Sequence, residues 1–140
     1  MTPPGFHINP QHFDHLGSFT PQYDVVALNL LAAHAYLKFG PLRIVEVGSF
    51  AGTTTIELAK YAHTLYCVDT WEGAPPEDFE NGVDRAYQII GGDTVFRTFC
   101  ENTKHLECVV PVRMPSLEAA RKLTEDVHFV YLDADHSYPA

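Results

Sequence analysis

One segment, residues 43–55 with the sequence RIVEVGSFAGTTT, constrains the fold of this chain more than any other. It joins a short apolar stretch of strand type to a turn bracketed by Gly48 and Gly52, and then to a helix-forming run. The first N–H groups of a helix have no intrahelical partners and carry the positive end of the helix dipole. We therefore expect this junction to hold a polar or anionic ligand.

The pattern around this junction predicts a βαβ unit. Residues 43–48 read as a strand, residues 53–62 as a helix, and residues 64–69 (TLYCVD) as a second apolar strand that ends at Asp69. A strand, a helix and a strand in so short a stretch imply a right-handed crossover and a parallel sheet. The loop that follows, residues 71–82, is rich in Gly, Pro and carboxylates, and we expect it at the same edge of the sheet as the glycine turn.

The chain before this unit is predicted to contain an irregular arm and one helix. Residues 1–20 show no period, and their histidines (His7, His12 and His15) have no accompanying metal-ligand pattern, so we interpret them as surface residues. Thr20 is a good N-cap, and Gly40 and Pro41 would end the helix. Its expected apolar face consists of Leu28, Leu31, Ala32, Ala35, Tyr36 and Phe39.

The chain after this unit is predicted to add helices and two more strands. Residues 83–90 and 94–103 read as a broken helical region, with Asp93 as the N-cap of its second part. Residues 108–114 read as a strand at the edge of the sheet, because Pro111 cannot donate to a ladder of hydrogen bonds.

A last helix and strand complete the predicted elements. Ser116 should cap a helix that ends near residue 125. Residues 127–133 (VHFVYLD) read as a fourth strand, and their apolar run suits burial on both faces.

Composition predicts one soluble domain over residues 1–140. The chain has 140 residues, of which 46% are hydrophobic, and no segment has the length and apolarity of a membrane span or the pattern of a secretory signal. We therefore expect a cytoplasmic protein. The three cysteines (Cys67, Cys100 and Cys108) form no C-x-x-C pair, which argues against a disulfide framework. A net charge of −9 without a cluster of cations makes nucleic acid an unsuitable partner.

The residues of the glycine turn indicate which ligand it holds. A dinucleotide turn has the pattern G-x-G-x-x-G, whereas here Phe50 stands where the second glycine should be. Glu46 precedes the turn and would attract a cationic ligand rather than a diphosphate. Asp69, at the tip of the second strand, is placed to accept hydrogen bonds from ribose hydroxyls. A nucleoside that carries an ammonium or sulfonium group fits both carboxylates.

Three segments in this order, VEVGSFAGTTT, LYCVDTWEG and VHFVYLDADHSY, resemble the class I S-adenosylmethionine-dependent methyltransferases, in particular small-molecule O-methyltransferases of the catechol and macrocin types. The resemblance covers residues 43–138. It implies an α/β fold with a Rossmann-like, doubly wound parallel sheet, of which about the first four strands are present in the order 3-2-1-4. It also implies S-adenosylmethionine as the cofactor and a small hydroxylated molecule as the methyl acceptor.

The resemblance assigns cofactor-binding roles to residues at the ends of the first three strands. The methionine part of the cofactor would be held by Glu46 and the turn, the ribose by Asp69, and the adenine edge by Ser116. Trp71 would be either an aromatic wall over the cofactor or a packing residue. The complete expected set is Glu46, Gly48, Ser49, Phe50, Gly52, Thr54, Asp69, Thr70 and Ser116.

The ending DADHSY carries the expected chemistry. By the same resemblance, Asp133 would be a ligand of a divalent metal such as Mg²⁺, and His136 would be the general base. Asp135 would be either a second metal ligand or the residue that orients His136. Asp133 and His136 are the candidate catalytic residues. In the alternative interpretation, Asp133 caps a helix and His136 is a surface histidine.

The chain is shorter than a complete fold of this type, which has about seven strands in roughly 200 residues. We therefore expect either a chain truncated at its C-terminus or a partner, such as a second copy, that pairs with the exposed fourth strand. Two other functions stay open: a non-catalytic nucleoside-binding or assembly module, and an NAD or nucleotide-sugar Rossmann enzyme.

Overall fold

The computed structural model describes residues 22–73 and 87–134. The described strands are β1 (Leu42–Val47), β2 (Ala62–Asp69), β3 (Val109–Arg113) and β4 (Phe129–Leu132). They form one sheet with the order β3-β2-β1-β4, and every neighbouring pair is parallel. The predicted α/β class, the strand order and the edge position of the strand that contains Pro111 are confirmed.

Helices connect these strands in the alternation expected of a doubly wound sheet. They are α1 (Gln22–Phe39), α2 (Thr53–Ala59), α3 (Gly92–Thr103) and α4 (Ser116–Lys122), and residues 87–90 are helical as well. Helix α2 ends three residues before the predicted end. The chain turns there because the N–H of Tyr61 bonds to the carbonyl of Leu58 at 3.0 Å, and the carbonyl of Tyr61 then accepts the N–H of Leu42 in β1.

One face of the sheet is buried against helices α1, α2 and α3. In β1 every second residue is buried, and Ile44 and Glu46 lie beside Leu65 and Cys67 of β2. The buried cluster on this face draws on α1, α2 and α3; it comprises Leu28, Ala32, Leu42, Ile44, Leu58, Leu65, Cys67, Trp71, Tyr87, Val95 and Phe99. Burial of this apolar surface is the main favourable term in folding.

The predicted apolar face of α1 is only partly buried. Leu28 and Ala32 lie in the core, but Leu31, Tyr36 and Phe39 are exposed. The spacing of these residues is correct for one helix face, yet of that face only Leu28 and Ala32 are fully covered and Ala35 is half-buried. Apolar spacing alone therefore overestimated how much of α1 is covered.

Of the three predicted N-caps, Thr20 lies outside the described residues, and the other two are wrong in their details. Asp93 lies inside α3, whose N-cap is Gly91, and its carboxylate bonds to Arg113 instead of to the helix terminus. Ser116 is the first residue of α4, whose N-cap is Pro115, and it makes no side-chain capping bond. In each case a neighbouring residue takes the non-helical conformation that the cap requires.

Strand β4 does not have the burial predicted for it. Phe129 and Tyr131 are half-buried, whereas Val130 and Leu132 are exposed, since only β1 pairs with this strand among the described residues. That a second chain pairs with its open side stays a prediction.

The three cysteines are unpaired, as the sequence interpretation predicted. Cys67, Cys100 and Cys108 are all free thiols. Of the helices in residues 22–73 and 87–134, none has the length and apolarity needed to cross a membrane.

Some predictions concern residues outside the described ones. They are the N-terminal arm with His7, His12 and His15, most of the acidic loop, and the residues Asp135 and His136.

Candidate functional site

The turn between β1 and α2 is built on left-handed backbone conformations. Gly48, Phe50 and Gly52 have φ angles of 92°, 45° and 90°. The N–H of Gly48 bonds to the carbonyl of Val68 at 2.9 Å, and the N–H of Gly52 bonds to that of Ser49 at 2.8 Å. The glycines take these conformations at little cost, whereas Phe50 is an uncommon occupant of this region. The turn is thus held in one shape, against the end of β2.

The buried carboxyl group of Glu46 holds this turn through hydrogen bonds. Its side chain is fully buried, and its carboxylate accepts hydrogen bonds from the hydroxyls of Ser49, Thr54 and Thr55. Burial raises the pKa of Glu46 above its ordinary value, and these hydroxyl donors oppose the rise. Both oxygens of Glu46 thus have hydrogen-bond partners within the protein. Glu46 therefore stabilises the turn and the first residues of α2.

Asp69 ties the end of β2 to the same turn. Its Oδ2 accepts the N–H of Phe50 at 3.0 Å, and its Oδ1 accepts the N–H of Trp71 at 2.8 Å. Burial raises the pKa of Asp69, while backbone donors, including the N–H of Ser49 and of Thr70, lower it. The residue is only half-buried, so it remains accessible at the end of β2. Asp69 can therefore accept hydrogen bonds from a ligand.

Trp71 is a packing residue in this structure. Its side chain is fully buried, its ring centroid lies 4.7 Å from that of Phe96 and 4.9 Å from that of Phe99, and its Nε1 donates to the carbonyl of Phe50 at 2.8 Å. Of the two roles left open for Trp71, the geometry favours packing. The indole nevertheless touches the turn directly through the carbonyl of Phe50.

The loop after β3 reaches the same edge of the sheet. The N–H of Met114 bonds to the carbonyl of Asp69 at 3.1 Å, and the exposed Ser116 follows two residues later, at the start of α4. Thr70 accepts the N–H of Glu72 on its hydroxyl and the side chain of Arg113 on its carbonyl. The expected adenine and ribose residues therefore lie along neighbouring strand ends, as the strand order requires.

Asp133 lies directly beside the glycine turn. Its N–H bonds to the carbonyl of Val47 at 2.8 Å, and its exposed carboxylate accepts the hydroxyl of Tyr131 at 3.1 Å. A Cβ atom on Gly48 would lie 2.1 Å from the backbone oxygen of Asp133. Within residues 22–73 and 87–134, no three His, Cys, Asp or Glu side chains are grouped as metal ligands.

Two residues that support the turn were missed in the sequence. Thr55 is fully buried and donates to Glu46, and Asn102 of α3 donates from Nδ2 to the carbonyl of Ala51 at 2.9 Å. The run of three threonines at residues 53–55 could have indicated Thr55, because the first turn of a helix places threonine hydroxyls near the end of the preceding strand. No pattern in the sequence signals the second, since 51 residues separate the two partners.

The chain matches known proteins in family and in fold. The family model described as a methyltransferase domain matches residues 45–140, which is more than half of the chain. Among curated proteins, none matches the chain closely enough to count as a relative.

Two solved structures share the fold. A protein from Klebsiella pneumoniae, provisionally assigned as an O-methyltransferase, is 16% identical with a TM-score of 0.59; the match covers 96% of this chain and 56% of that one. The cofactor-bound protein Rv0187 from MTB is 21% identical with a TM-score of 0.56; here the match covers 89% of this chain and 50% of that one. The chain thus spans about half the length of each structure. On the match to the family model, the chain belongs to the methyltransferase domain family.

Proposed function

We propose that this chain binds S-adenosylmethionine at the ends of β1 and β2 and takes part in methyl transfer to an oxygen of a small hydroxylated molecule. The proposal rests on one hydrogen bond between the end of β2 and the turn of residues 48–52. The carboxylate of Asp69 accepts the N–H of Phe50 at 3.0 Å. Membership of the methyltransferase domain family supports the same cofactor.

The residues at this edge fit an adenosyl cofactor. Asp69 ends β2 as a half-buried carboxylate, where the two hydroxyls of a ribose can share its oxygens with the backbone N–H groups of Phe50 and Trp71 or replace them. The exposed Ser116 lies past the next strand end, on the side where a base joined to that ribose would extend. Glu46 places a carboxyl group beneath the turn, which suits a cation such as a sulfonium better than a diphosphate.

Within this proposal, the chain's own residues bind and orient. S-adenosylmethionine, when bound, supplies a methyl group on a sulfonium that is open to in-line attack by an oxygen nucleophile. Glu46 holds Ser49 and Thr54 in place through hydrogen bonds, so the turn does not have to reorganise when the ligand arrives. Asp69 fixes the ribose and thereby the direction of the reacting bond.

The acceptor side of the proposal rests on Asp133 and His136. Asp133 stands beside the turn, and its carboxylate can accept the hydroxyl proton of an acceptor or orient that hydroxyl. His136, outside the described residues, is proposed as the general base, since a histidine can take up a proton near neutral pH. Asp133 and Asp135 are the proposed oxygen ligands if Mg²⁺ takes part.

Calorimetric titration with S-adenosylhomocysteine tests the cofactor assignment without knowledge of the acceptor. We expect binding to the wild-type chain at one ligand per chain, and at least tenfold weaker binding to Asp69→Asn and Asp69→Ala. Asp126→Asn is the matched control, because Asp126 is an exposed carboxylate just before β4. It lies at the amino ends of the strands, whereas the candidate site lies at their carboxyl ends. NAD should give no heat.

The outcomes separate the proposal from its alternatives. Heat with NAD and none with S-adenosylhomocysteine would instead support a dinucleotide enzyme. If S-adenosylhomocysteine binds, methyl transfer from labelled S-adenosylmethionine to small hydroxylated acceptors, with Mg²⁺ and with a chelator, decides whether the chain catalyses. Binding without transfer would favour the non-catalytic module, which the exposed residues of β4 also suit as an assembly surface.

A further inference from the structure

Helix α1 is apolar on two opposite sides. One side packs on the sheet through Leu28 and Ala32. The other side carries Tyr23, Val26, Leu30 and Leu37, whose exposed fractions are 75%, 55%, 67% and 85%. We call these four residues the outer stripe. A helix that is apolar on both sides is normally covered on both sides.

The outer stripe cannot be covered by an extension of the same sheet. At 100° per residue, Leu30 and Leu37 point about 160° and about 180° away from Leu28, one of the two residues that α1 buries against the core. Elements added beside β4 would widen the sheet, but they would stay on the inner side of α1. A contiguous apolar row of this kind marks a contact surface.

The spacing of the outer stripe suits another α-helix. Tyr23, Val26, Leu30 and Leu37 fall on alternating three- and four-residue steps, with Ala33 in the one remaining place. This is the spacing of a helix pair that packs side chains into the gaps of its partner.

The outer stripe is also complementary to itself. Tyr23 and Leu37 lie seven residues on either side of Leu30, so an antiparallel two-fold pair would set Leu30 against the partner's Leu30 and Tyr23 against the partner's Leu37. Small Ala33 leaves room near the centre for the larger residues.

The charges of α1 favour the antiparallel arrangement. Asp24 lies in the first turn and Lys38 in the last turn. In an antiparallel pair, Asp24 comes within one helical turn of the height of the partner's Lys38, on the same flank of the outer stripe. A parallel pair would instead place like charges, and like ends of the helix dipoles, side by side.

We infer that the outer stripe of α1 is a homodimer interface that pairs two copies of this chain antiparallel about Leu30. The inference does not depend on the proposed function. One helix pair of about five turns buries less area than the roughly 1,600 Å² of a standard interface, so the dimer should be weak and concentration-dependent. The net charge of −9 on each copy opposes association at low salt and is screened at moderate salt.

Sedimentation velocity on the full chain, from about 1 µM to about 300 µM, tests this interface. We expect a monomer–dimer equilibrium that Leu30→Glu and, independently, Leu37→Glu weaken at least tenfold. Both residues are exposed, so both variants should keep the circular dichroism and melting of the wild type. Val130→Glu, at an exposed residue of β4, is the matched control and should leave the dimer unchanged.

Cysteine cross-linking tests the antiparallel alignment. Under mild oxidation, Leu30→Cys should form a covalent dimer, because the two-fold axis sets its two copies face to face. Tyr23→Cys should not, since its copies lie at opposite ends of the interface. The wild-type chain, with its own three free cysteines, sets the background.

Three results would overturn the inference. They are a monomer at every concentration, a dimer that Val130→Glu abolishes and Leu30→Glu does not, and cross-linking of Tyr23→Cys as readily as Leu30→Cys. The first would leave the outer stripe to another occupant, the second would assign the dimer to β4, and the third would indicate a parallel pair.

Discussion

Gly48 and Asp133 stand so close at the carboxyl edge of the sheet that a Cβ atom on Gly48 would lie 2.1 Å from the backbone oxygen of Asp133 and 2.8 Å from the N atom of Ala134. The neighbour is backbone, and the hydrogen bond from the N–H of Asp133 to the carbonyl of Val47 anchors it. The turn after β1 and the end of β4 therefore share a space that only glycine leaves open.

Replacement of Gly48 by alanine should destabilise the fold far more than the same replacement at Gly40. Both glycines have positive φ, but a Cβ on Gly40 meets nothing within 4 Å. We expect Gly40→Ala to cost about 1–2 kcal/mol, the strain of the left-handed conformation alone, and Gly48→Ala to cost more than about 4 kcal/mol. Urea denaturation of the two variants measures the difference. Equal costs would mean that the ends of β1 and β4 separate easily.

The local signals around this edge were readable in the sequence because they depend on neighbours along the chain. The apolar run before Gly48 and the threonines after Gly52 predicted a strand and a helix, and both are present. Asp69 was predicted at the tip of the second strand, and it is the last residue of β2. Because parallel strands end at one edge, it lies within reach of the turn and accepts the N–H of Phe50.

Features set by distant partners could not be read in the same way. Asp93 has the side chain of an N-cap, but Arg113, 20 residues away, takes its carboxylate at 2.6 Å. Similarly, the sequence predicted that Glu46 lies at the end of a strand, but not that three hydroxyls would occupy its oxygens. Such outcomes depend on which groups the finished fold brings together.

Loss of the Thr55 hydroxyl should destabilise the chain, because a buried carboxylate would lose a donor. Thr55→Val keeps the shape of the side chain but removes the bond to Glu46. We expect a cost of about 1–3 kcal/mol. The matched control is Thr53→Val, two residues earlier at an exposed position of the same helix, which should stay within about 0.5 kcal/mol of the wild type. Urea denaturation measures both; equal effects would show that helix propensity, rather than the bond to Glu46, determines the cost.

The buried carboxylate of Glu46 should make stability depend on pH in a defined direction. Because burial raises the pKa of Glu46 above its ordinary value of 4.5, the folded protein keeps this proton at pH values where the unfolded chain has lost it. The contribution of Glu46 to stability is therefore fully present below pH 4.5 and falls as the pH rises through the folded pKa.

The variant Glu46→Gln lacks this titration and isolates it. We expect the free energy of unfolding of the wild type, minus that of Glu46→Gln, to decrease as the pH rises from 4.5. Denaturant titrations of both proteins across the acidic and neutral range give this difference. A difference that increases with pH would mean that the hydroxyls of Ser49, Thr54 and Thr55 outweigh burial and lower the pKa instead.

Trp71 should report ligand binding at the turn, because it is the only tryptophan of the chain and its Nε1 donates to the carbonyl of Phe50 at 2.8 Å. Its full burial among Phe96 and Phe99 predicts emission shifted to the blue of tryptophan in water. A ligand held by Asp69 would lie against Phe50, because the same carboxylate accepts the N–H of Phe50. It should therefore alter the polarity and packing around the indole of Trp71.

We expect S-adenosylhomocysteine to change the emission saturably, and Asp69→Asn to abolish the response while leaving the emission of the free protein near that of the wild type. A saturable change that persists in Asp69→Asn would place the ligand away from the end of β2. Calorimetric binding without any change in emission would mean that the ligand does not touch the turn of residues 48–52.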